Sequence, residues 1–124
     1  LMSGTSVDGV DAALVCVSGS GRDTQAELIA FEIFPYPPSL RSRVLALSHG
    51  HGNAEEVSQV NVLVGRLFAE ATENVLRHAP PQAKVPDAIA SHGQTISHTG
   101  QTVAGKKKAT LQIGEAAIIA DCVG

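Results

Sequence analysis

The sequence predicts one α/β domain with a mixed β-sheet and helices beside it. Two apolar runs bounded by turn residues, at 10–17 and 27–35, are typical of strands. Residues 37–80 then show helical spacing, and two further strand segments precede a last helix. The 124 residues suffice for one hydrophobic core. Because the strands are grouped instead of alternating with helices, we expect a mixed sheet.

The first two strands are expected to form a hairpin. Residues 10–17 are almost continuously apolar and lie between Gly9 and Gly19, as in a buried strand. Residues 19–24 are rich in small and polar side chains and predict a turn. A second strand follows at about residues 27–35, so the two strands can pair through this turn.

The next segment predicts a short amphipathic helix. The prolines at 37–38 suit the first turn of a helix. Leu40, Val44 and Leu47 then recur at the spacing of one helical face, and the helix is expected to stop at His49.

A longer helix is predicted directly afterwards. Asn53 is followed three residues later by Glu56, which resembles a capping box. The apolar face consists of Val57, Val60, Val64, Leu67, Phe68, Ala71 and Val75. The prolines at 80–81 end it.

The last third of the chain predicts two short strands and a helix. Residues 87–91 form one strand candidate, and residues 109–113 form another with Leu111 and Ile113 on one face. Gly114 is expected to begin a new helix.

Composition restricts the class of function. Nine basic and twelve acidic residues give a net charge of −3, so no general attraction to nucleic acid or to an anionic membrane is expected. No apolar run approaches the roughly 20 residues that span a bilayer. Cys16 and Cys122 lie far apart in sequence and form no CxxC pair, which suits buried free thiols in a reducing cytoplasm. The alternative is a disulfide between them.

The chain is expected to be a piece of a longer protein. Leu1 and Met2 lead directly into a polar loop, as if a first strand had lost its beginning. Gly124 falls just inside an apparent helix. Both ends therefore look like cuts.

The segment 2–11 is the most informative candidate site. Its glycines, Gly4 and Gly9, allow a backbone to approach a ligand or to adopt positive φ, and its hydroxyls and successive N–H groups can face a phosphate. Asp8 offers the carboxylate that Mg²⁺ prefers, often through water. The alternative is a plain turn rich in Gly, Ser and Asp.

A second polar cluster covers residues 91–98, directly after the predicted strand at 87–91. Ligands of open α/β sheets gather beyond the carboxyl ends of strands, and His92 and Gln94 can both donate and accept hydrogen bonds to a sugar. The alternative is a solvated loop that binds nothing.

Gln112, in a third cluster at 110–115, could face the same cleft as Gln94. Glu115 near a helix N-terminus is favoured by the helix dipole with or without a function.

One apparent phosphate-binding motif is rejected. Residues 100–107 nearly fit P-loop spacing, but Lys107 stands where a Mg²⁺-binding Ser or Thr belongs. Residues 106–108 are better explained as a solvated hairpin tip.

Three motifs together resemble the anhydro-N-acetylmuramic acid kinases. They are Met-Ser-Gly-Thr-Ser-Val-Asp-Gly-Val-Asp at 2–11, Ser-His-Gly-Gln-Thr-Ile-Ser-His at 91–98 and Thr-Leu-Gln-Ile-Gly-Glu at 110–115. Their order and approximate spacing are those of the family. The resemblance runs over essentially the whole chain, but over only about the first third of the family's usual length.

The resemblance implies a fold and a reaction. The fold is the N-terminal lobe of a two-lobed, RNase H-like sugar kinase related to actin, hexokinase and Hsp70. The reaction opens the 1,6-anhydro ring of anhydro-N-acetylmuramic acid with water and phosphorylates O6 from ATP with Mg²⁺, giving N-acetylmuramic acid 6-phosphate for cell-wall recycling in the cytoplasm. We expect the full-length protein to be a homodimer.

The resemblance also implies roles for individual residues. The ATP phosphate loop comprises Gly4, Thr5, Ser6, Val7, Asp8, Gly9, Val10 and Asp11, with Asp8 as the metal ligand. The sugar side comprises Ser91, His92, Gly93, Gln94, Thr95, Gln112 and Glu115. The catalytic base, the adenine pocket and the second lobe of the family lie beyond Gly124, so no catalytic residue is expected here and this chain alone is expected to be inactive.

The sequence departs from the family at Ala116, where proline is expected, which puts the start of the last helix in question. Two other functions stay open. One is a small hydrolase that uses Asp8 or Asp11 with His92, although no nucleophile elbow supports it. The other is a noncatalytic sugar- or nucleotide-binding module.

Overall fold

The computed structural model describes residues 1–102, 105 and 107–124. Their strands form a five-stranded sheet in the order β3-β2-β1-β4-β5. The strands are β1 Met2–Ser3, β2 Gly9–Ser18, β3 Gln25–Pro35, β4 Gln94–Thr99 and β5 Ala109–Ile113. β1 is parallel to β4, and all other neighbours are antiparallel. The predicted α/β class and mixed sheet are confirmed.

The helices of the described residues begin and end close to the predicted positions. They are α1 Pro38–Ser48, α2 Ala54–His78 and α3 Ala116–Val123, with short 3-10 turns at Gly21–Asp23 and Pro81–Ala83. Proline suits the first turn of α1 because the N–H groups there have no partner within the helix. α3 begins at Ala116 although the expected proline is missing. No described helix is both long and apolar enough to cross a membrane.

The capping box of α2 is only half formed. Asn53 accepts a hydrogen bond from the Glu56 N–H at 2.9 Å, as predicted. The Glu56 carboxylate does not turn back to the cap. It binds Arg43 of α1 through two hydrogen bonds of 2.7 and 2.9 Å, which ties the two helices together.

The core lies between the sheet and the helices. Val10 and Ala12 of β2 meet the buried faces of α1 and α2, with Phe68 fully buried. The remaining core residues include Leu40, Val44, Leu47, Val60, Val64, Leu67, Ala71, Val75, Ile96, Ile113 and Ile119. We call this side of the sheet the helix-covered face.

The opposite side, the open face, is left uncovered by the described helices. Large apolar side chains of β1–β3 are exposed there or toward the distal end of the hairpin: Met2, Val15, Val17, Leu28, Phe31 and Ile33. β2 and β3 extend beyond the helices at that distal end.

The predicted strand at 87–91 is wrong. These residues form no strand, and β4 begins only at Gln94, so most of the predicted polar loop at 91–98 is strand. Two backbone hydrogen bonds bring the preceding segment beside Leu1, from Leu1 N to Ala90 O and from His92 N to Leu1 O. β4 was not predicted from the sequence, because one of its buried side chains, Gln94, is polar and interrupts the apolar pattern of a strand.

Leu111 and Ile113 are two residues apart in β5, so they lie on one side of the strand, as predicted. Ile113 is buried there, whereas Leu111 is exposed. One smaller prediction is wrong. Cys16 and Cys122 are free thiols, as predicted, but both are exposed. Cys16 lies in the part of β2 that no described helix covers. The hairpin tip predicted at 106–108 includes Lys106, and the near P-loop at 100–107 includes Val103 and Ala104; these three residues lie outside the described residues.

Candidate functional site

A short loop, residues 4–8, connects β1 to β2 at the carboxyl end of β1. We call it the β1–β2 loop. Thr5, Ser6 and Asp8 are exposed, whereas Val7 points into the core and is only 1% exposed. The loop therefore presents polar groups outward while one apolar side chain anchors it.

Val7 adopts a backbone conformation that valine rarely takes. Its φ is 52°, and it is the one described non-glycine residue with positive φ. In the left-handed region a β-branched side chain crowds the backbone, which costs about 1–3 kcal/mol. The Val7 N–H donates to Gly4 O at 3.2 Å and closes the turn. Such strain persists only where the surroundings impose it.

Arg41 of α1 binds the backbone on both sides of Val7. Its Nε donates to Val7 O at 2.8 Å, and its Nη2 donates to Ser6 O at 3.0 Å. The fork of one guanidinium thus holds two successive carbonyls of the β1–β2 loop. Sequence reasoning missed this residue, because Arg41 beside the buried Leu40 looks like any exposed helix position.

Asp8 is an exposed and ionised carboxylate. Ser6 Oγ donates to Asp8 Oδ1 at 2.9 Å. This hydrogen bond is the largest cause that lowers the pKa of Asp8 below 3.8, assisted by backbone N–H groups and by the charge of Arg41. An ionised carboxylate with one oxygen free of Ser6 suits a hydrated cation. The described residues contain no group of three or more His, Cys, Asp and Glu side chains that could enclose a metal.

The two glycines of the segment differ in what surrounds them. A Cβ on Gly9 would lie 2.5 Å from Ile33 Cγ2 and 3.3 Å from Phe34 O, so β3 leaves no room for a side chain. A Cβ on Gly4 would meet only Ser6 Oγ, at an ordinary 3.8 Å. Neither has positive φ, contrary to one expectation from the sequence. The packing of the protein explains Gly9 and leaves Gly4 unexplained.

Gln94 holds the β1–β2 loop from beneath. Its side chain is 0% exposed on the helix-covered face. The amide Nε2 donates to Gly4 O at 3.3 Å and to Thr95 O at 3.0 Å, and Oε1 accepts from Ser3 Oγ and from the Tyr36 hydroxyl. All four of its hydrogen-bonding positions are used. The side-chain amide of Gln94 therefore has no hydrogen-bonding position free to bind a sugar in this structure.

Val10 and Asp11, the last residues of the predicted phosphate loop, belong to β2. Val10 is buried in the core, and its neighbour Phe34 pairs with it in the ladder. Asp11 is exposed on the open face, in register with Met2 and Ile33. Residues 4–8 are therefore the part of the predicted phosphate site that lies in the β1–β2 loop, and Asp11 lies outside the loop in β2.

Thr95 and Gln112 form a pair on the open face. They are cross-strand partners in β4 and β5, and Gln112 Nε2 donates to Thr95 Oγ1 at 3.1 Å. Gln94 pairs instead with Ile113 and faces the core, so the expectation that Gln94 and Gln112 share a cleft is wrong. Thr95 is adjacent to the β1–β2 loop because its carbonyl and that of Gly4 accept from the same Gln94 nitrogen.

Three other predicted sugar residues, at 91–93, directly precede Gln94 at the start of β4. Ser91 and His92 are exposed beside Leu1, whereas Gly93 is buried. Within the described residues neither Asp8 nor Asp11 forms a hydrogen bond or ion pair with His92, so the geometry lends the hydrolase hypothesis no support.

Glu115 connects α3 to α2. Its side chain caps α3 by accepting from the Ala117 N–H at 3.3 Å, and Asn61 Nδ2 donates to its other carboxylate oxygen at 3.2 Å. Asn61 also accepts from the Gly114 N–H at 2.7 Å. The predicted position of Glu115 at a helix N-terminus is confirmed, and the structure adds the capping hydrogen bond.

Comparisons with known proteins find similarity along the whole chain. The sequence model of the anhydro-N-acetylmuramic acid kinase family matches residues 1–124. Proteins named anhydro-N-acetylmuramic acid kinase are 47% identical in Caldanaerobacter subterraneus subsp. tengcongensis over 100% of this chain, 43% in Bacillus cereus strain B4264 over 97%, and 42% in Acaryochloris marina over 100%. The matches cover 32%, 31% and 32% of those relatives, so the chain spans about a third of their length.

Proposed function

The chain belongs to the anhydro-N-acetylmuramic acid kinase family, and from this premise we propose that the whole protein is an ATP-dependent sugar kinase. It opens the 1,6-anhydro ring of anhydro-N-acetylmuramic acid with water and transfers the γ-phosphoryl group of ATP to O6. The product is N-acetylmuramic acid 6-phosphate. The single observation that carries this proposal is the family match along the entire chain.

Within that reaction the β1–β2 loop binds the terminal phosphates of ATP. Thr5 and Ser6 are exposed, and their N–H groups make no hydrogen bond to the described residues. Successive free N–H groups in a turn attract anions. The space beside Gly4 supports the same role. No packing within the protein requires a glycine at this position. A phosphate that approaches the backbone there would require a glycine, because a side chain would block it.

Asp8 would hold the Mg²⁺ that accompanies ATP. Its lowered pKa keeps the carboxylate charged at neutral pH, and only Ser6 among the described side chains binds it. A magnesium ion keeps several waters and needs few protein ligands. The absence of a three-ligand cluster among the described residues therefore does not conflict with this role. The ion would neutralise charge on the transferred phosphoryl group.

The sugar is proposed to bind on the Thr95 side of the loop. Thr95 and Gln112 offer a hydroxyl and an amide within one hydrogen-bonded pair next to Gly4, which suits the hydroxyls and acetamido group of an amino sugar. Ser91 and His92 would extend this surface along the same strand direction. Gly93, Gln94 and Glu115 have supporting roles in the proposal, because they are buried or engaged with other parts of the fold.

Ring opening needs a carboxylate base that activates water at the anomeric carbon. We assign that base to no residue of this chain. The contribution of these 124 residues is the alignment of the γ-phosphoryl group with the acceptor oxygen, which supplies much of the rate in phosphoryl transfer.

The test is a kinase assay on the full-length protein with ATP, Mg²⁺ and anhydro-N-acetylmuramic acid. We expect ADP and the 6-phosphate to form in equal amounts, identified by mass spectrometry. In water enriched in ¹⁸O the product should carry the label on the anomeric hydroxyl. Binding of both compounds without turnover would favour the noncatalytic module, and ADP without sugar phosphate would indicate an ATPase.

The proposal includes a cytoplasmic homodimer. Two exposed free thiols at Cys16 and Cys122 suit a reducing compartment. Light scattering of the full-length protein after size exclusion measures its mass in solution, and the mass of one chain would exclude the dimer.

A further inference from the structure

Arg41 binds the β1–β2 loop although it lies outside the sequence motif at 2–11 that contains the loop. It lies on α1, and its guanidinium donates to the carbonyls of Ser6 and Val7 at 3.0 and 2.8 Å. No described carboxylate forms an ion pair with Arg41. The backbone of the loop is therefore its main described partner.

The two carbonyls that Arg41 holds belong to the peptide units directly before and after the strained residue, Val7. Val7 has φ of 52° with its side chain buried, and Asp8 follows directly. Rotation of Val7 back to negative φ would move Ser6 and Asp8 relative to each other. The hydrogen bond from Ser6 Oγ to Asp8 would then be lost.

We infer that Arg41 is a positioning residue: it holds the Ser6–Asp8 peptide segment in the one conformation in which the loop can receive the phosphates and metal of a nucleotide. This inference rests on the proposed function of the loop. Arg41 acts through the loop backbone and touches neither substrate in the proposal.

The same helix offers a matched control. Arg43 is two residues away and also uses its guanidinium twice, but its partner is Glu56 of α2. Arg43→Ala removes an arginine of equal size from α1 without touching the loop. Any general effect of weakening α1 should appear in both variants.

The experiment compares Arg41→Ala, Arg41→Lys and Arg43→Ala in the full-length protein. We expect Arg41→Ala to lower kcat at least tenfold and to raise KM for ATP, with KM for the sugar changed less than twofold. Arg41→Lys keeps the charge but can serve only one carbonyl at a time, so its kcat should be intermediate. Added ethylguanidinium should restore part of the activity of Arg41→Ala. Arg43→Ala should keep kcat within twofold.

Equal kcat losses in Arg41→Ala and Arg43→Ala, or a kcat of Arg41→Ala within twofold of the wild type, would overturn the inference while leaving the proposed function intact. If the wild type binds Mg²⁺ and ATP but does not phosphorylate the sugar, the proposed function fails. Titration calorimetry with ATP then decides about Arg41: at least tenfold weaker binding in Arg41→Ala alone supports the inference, and equal binding in all variants refutes it.

Discussion

The Ser3 hydroxyl donates to Gln94 Oε1 beneath the sheet, at the one register position where β1 and β4 pair. Both side chains are buried, and both also contact the ends of the β1–β2 loop: Ser3 Oγ lies 3.2 Å from Gly9 O, and Gln94 donates to Gly4 O. A polar pair inside the core thus fixes where the exposed loop begins and ends.

The first prediction follows from that pair. Gln94→Leu removes the oxygen that the Ser3 and Tyr36 hydroxyls share as an acceptor and the bond to Gly4 O, while filling a similar volume. An unsatisfied buried group costs about 1–3 kcal/mol, so we expect a clear fall in the Tm of the full-length protein. Hydrogen exchange at Val7 N–H should become faster, because the turn loses its support.

Gln112→Leu is the matched control for stability. Gln112 is a partly exposed glutamine on the neighbouring strand, and its loss should change stability by about 0.5 kcal/mol or less. A Tm for Gln94→Leu equal to that of Gln112→Leu would contradict the role of Gln94 as a support.

Much of the fold was predictable because local spacing reports it. The apolar run of β2, the Leu40, Val44 and Leu47 spacing of α1 and the Asn53 cap of α2 each lie within a few residues of sequence. β4 was not predictable in this way. Its first inward side chain is a glutamine, and glutamine is acceptable in a core only because of partners from β1 and from Tyr36.

The candidate site was also predictable only where local sequence patterns indicate it. The polar loop with Asp8 was predictable from composition and from the family motifs. The left-handed conformation of Val7 and the two hydrogen bonds from Arg41 were not predictable. These bonds link Arg41 to Val7 and Ser6, which are 34 and 35 positions away in sequence, so no local sequence pattern indicates them. The split of the sugar candidates between two faces depends on the register of β4 with β5, which pairs Gln94 with Ile113 and Thr95 with Gln112.

The second prediction concerns the charge at Asp8. Asp8→Ala should reduce turnover of the full-length protein by about 100-fold or more, since it removes the proposed metal ligand. The fold should stay intact because the side chain is exposed. Asp23→Ala removes another exposed carboxylate, in the distal turn between β2 and β3, and should leave turnover unchanged. Circular dichroism that shows an unfolded Asp8→Ala protein would favour a plain structural turn instead.

The third prediction tests the cause of the lowered pKa of Asp8. Ser6→Ala removes the hydroxyl that donates to the carboxylate, so the pKa of Asp8 should rise toward 3.8. A carboxyl whose folded pKa is depressed contributes stability above its unfolded pKa, and this contribution is lost as the pH falls through the folded value. The Ser6 contribution should therefore be present at neutral pH and vanish in acid.

Carbon-13 NMR of aspartate-labelled protein measures this pKa directly, with Asp8→Asn to assign the signal. Thr5→Ala removes a neighbouring exposed hydroxyl for which no bond to Asp8 is found among the described residues, and it should leave the titration unchanged. An unaltered Asp8 titration in Ser6→Ala would show that the backbone N–H groups, and not Ser6, set the pKa.

The fourth prediction separates the two roles considered for Glu115. Glu115→Ala and Asn61→Ala each remove the side-chain hydrogen bond between α2 and Glu115, so both should lower the Tm, with about 1 kcal/mol expected for the loss of the cap itself. If Glu115 only supports the fold, KM for the sugar should stay within twofold in both variants. A rise in KM confined to Glu115→Ala would instead make Glu115 a sugar contact.

The fifth prediction uses the two glycines of the segment as opposites. Gly9→Ala places a methyl group 2.5 Å from Ile33 Cγ2, so the strands must separate or the isoleucine must move, and we expect destabilisation by about 1–3 kcal/mol. Gly4→Ala meets nothing closer than 3.8 Å, so its Tm should equal or slightly exceed that of the wild type.

Gly4→Ala should nevertheless weaken ATP binding, because the methyl group occupies the space proposed for a phosphate. Calorimetric titration of ATP and a thermal melt on both variants measure the two effects. Wild-type ATP affinity in a stable Gly4→Ala protein would mean that the nucleotide does not approach the backbone at this position.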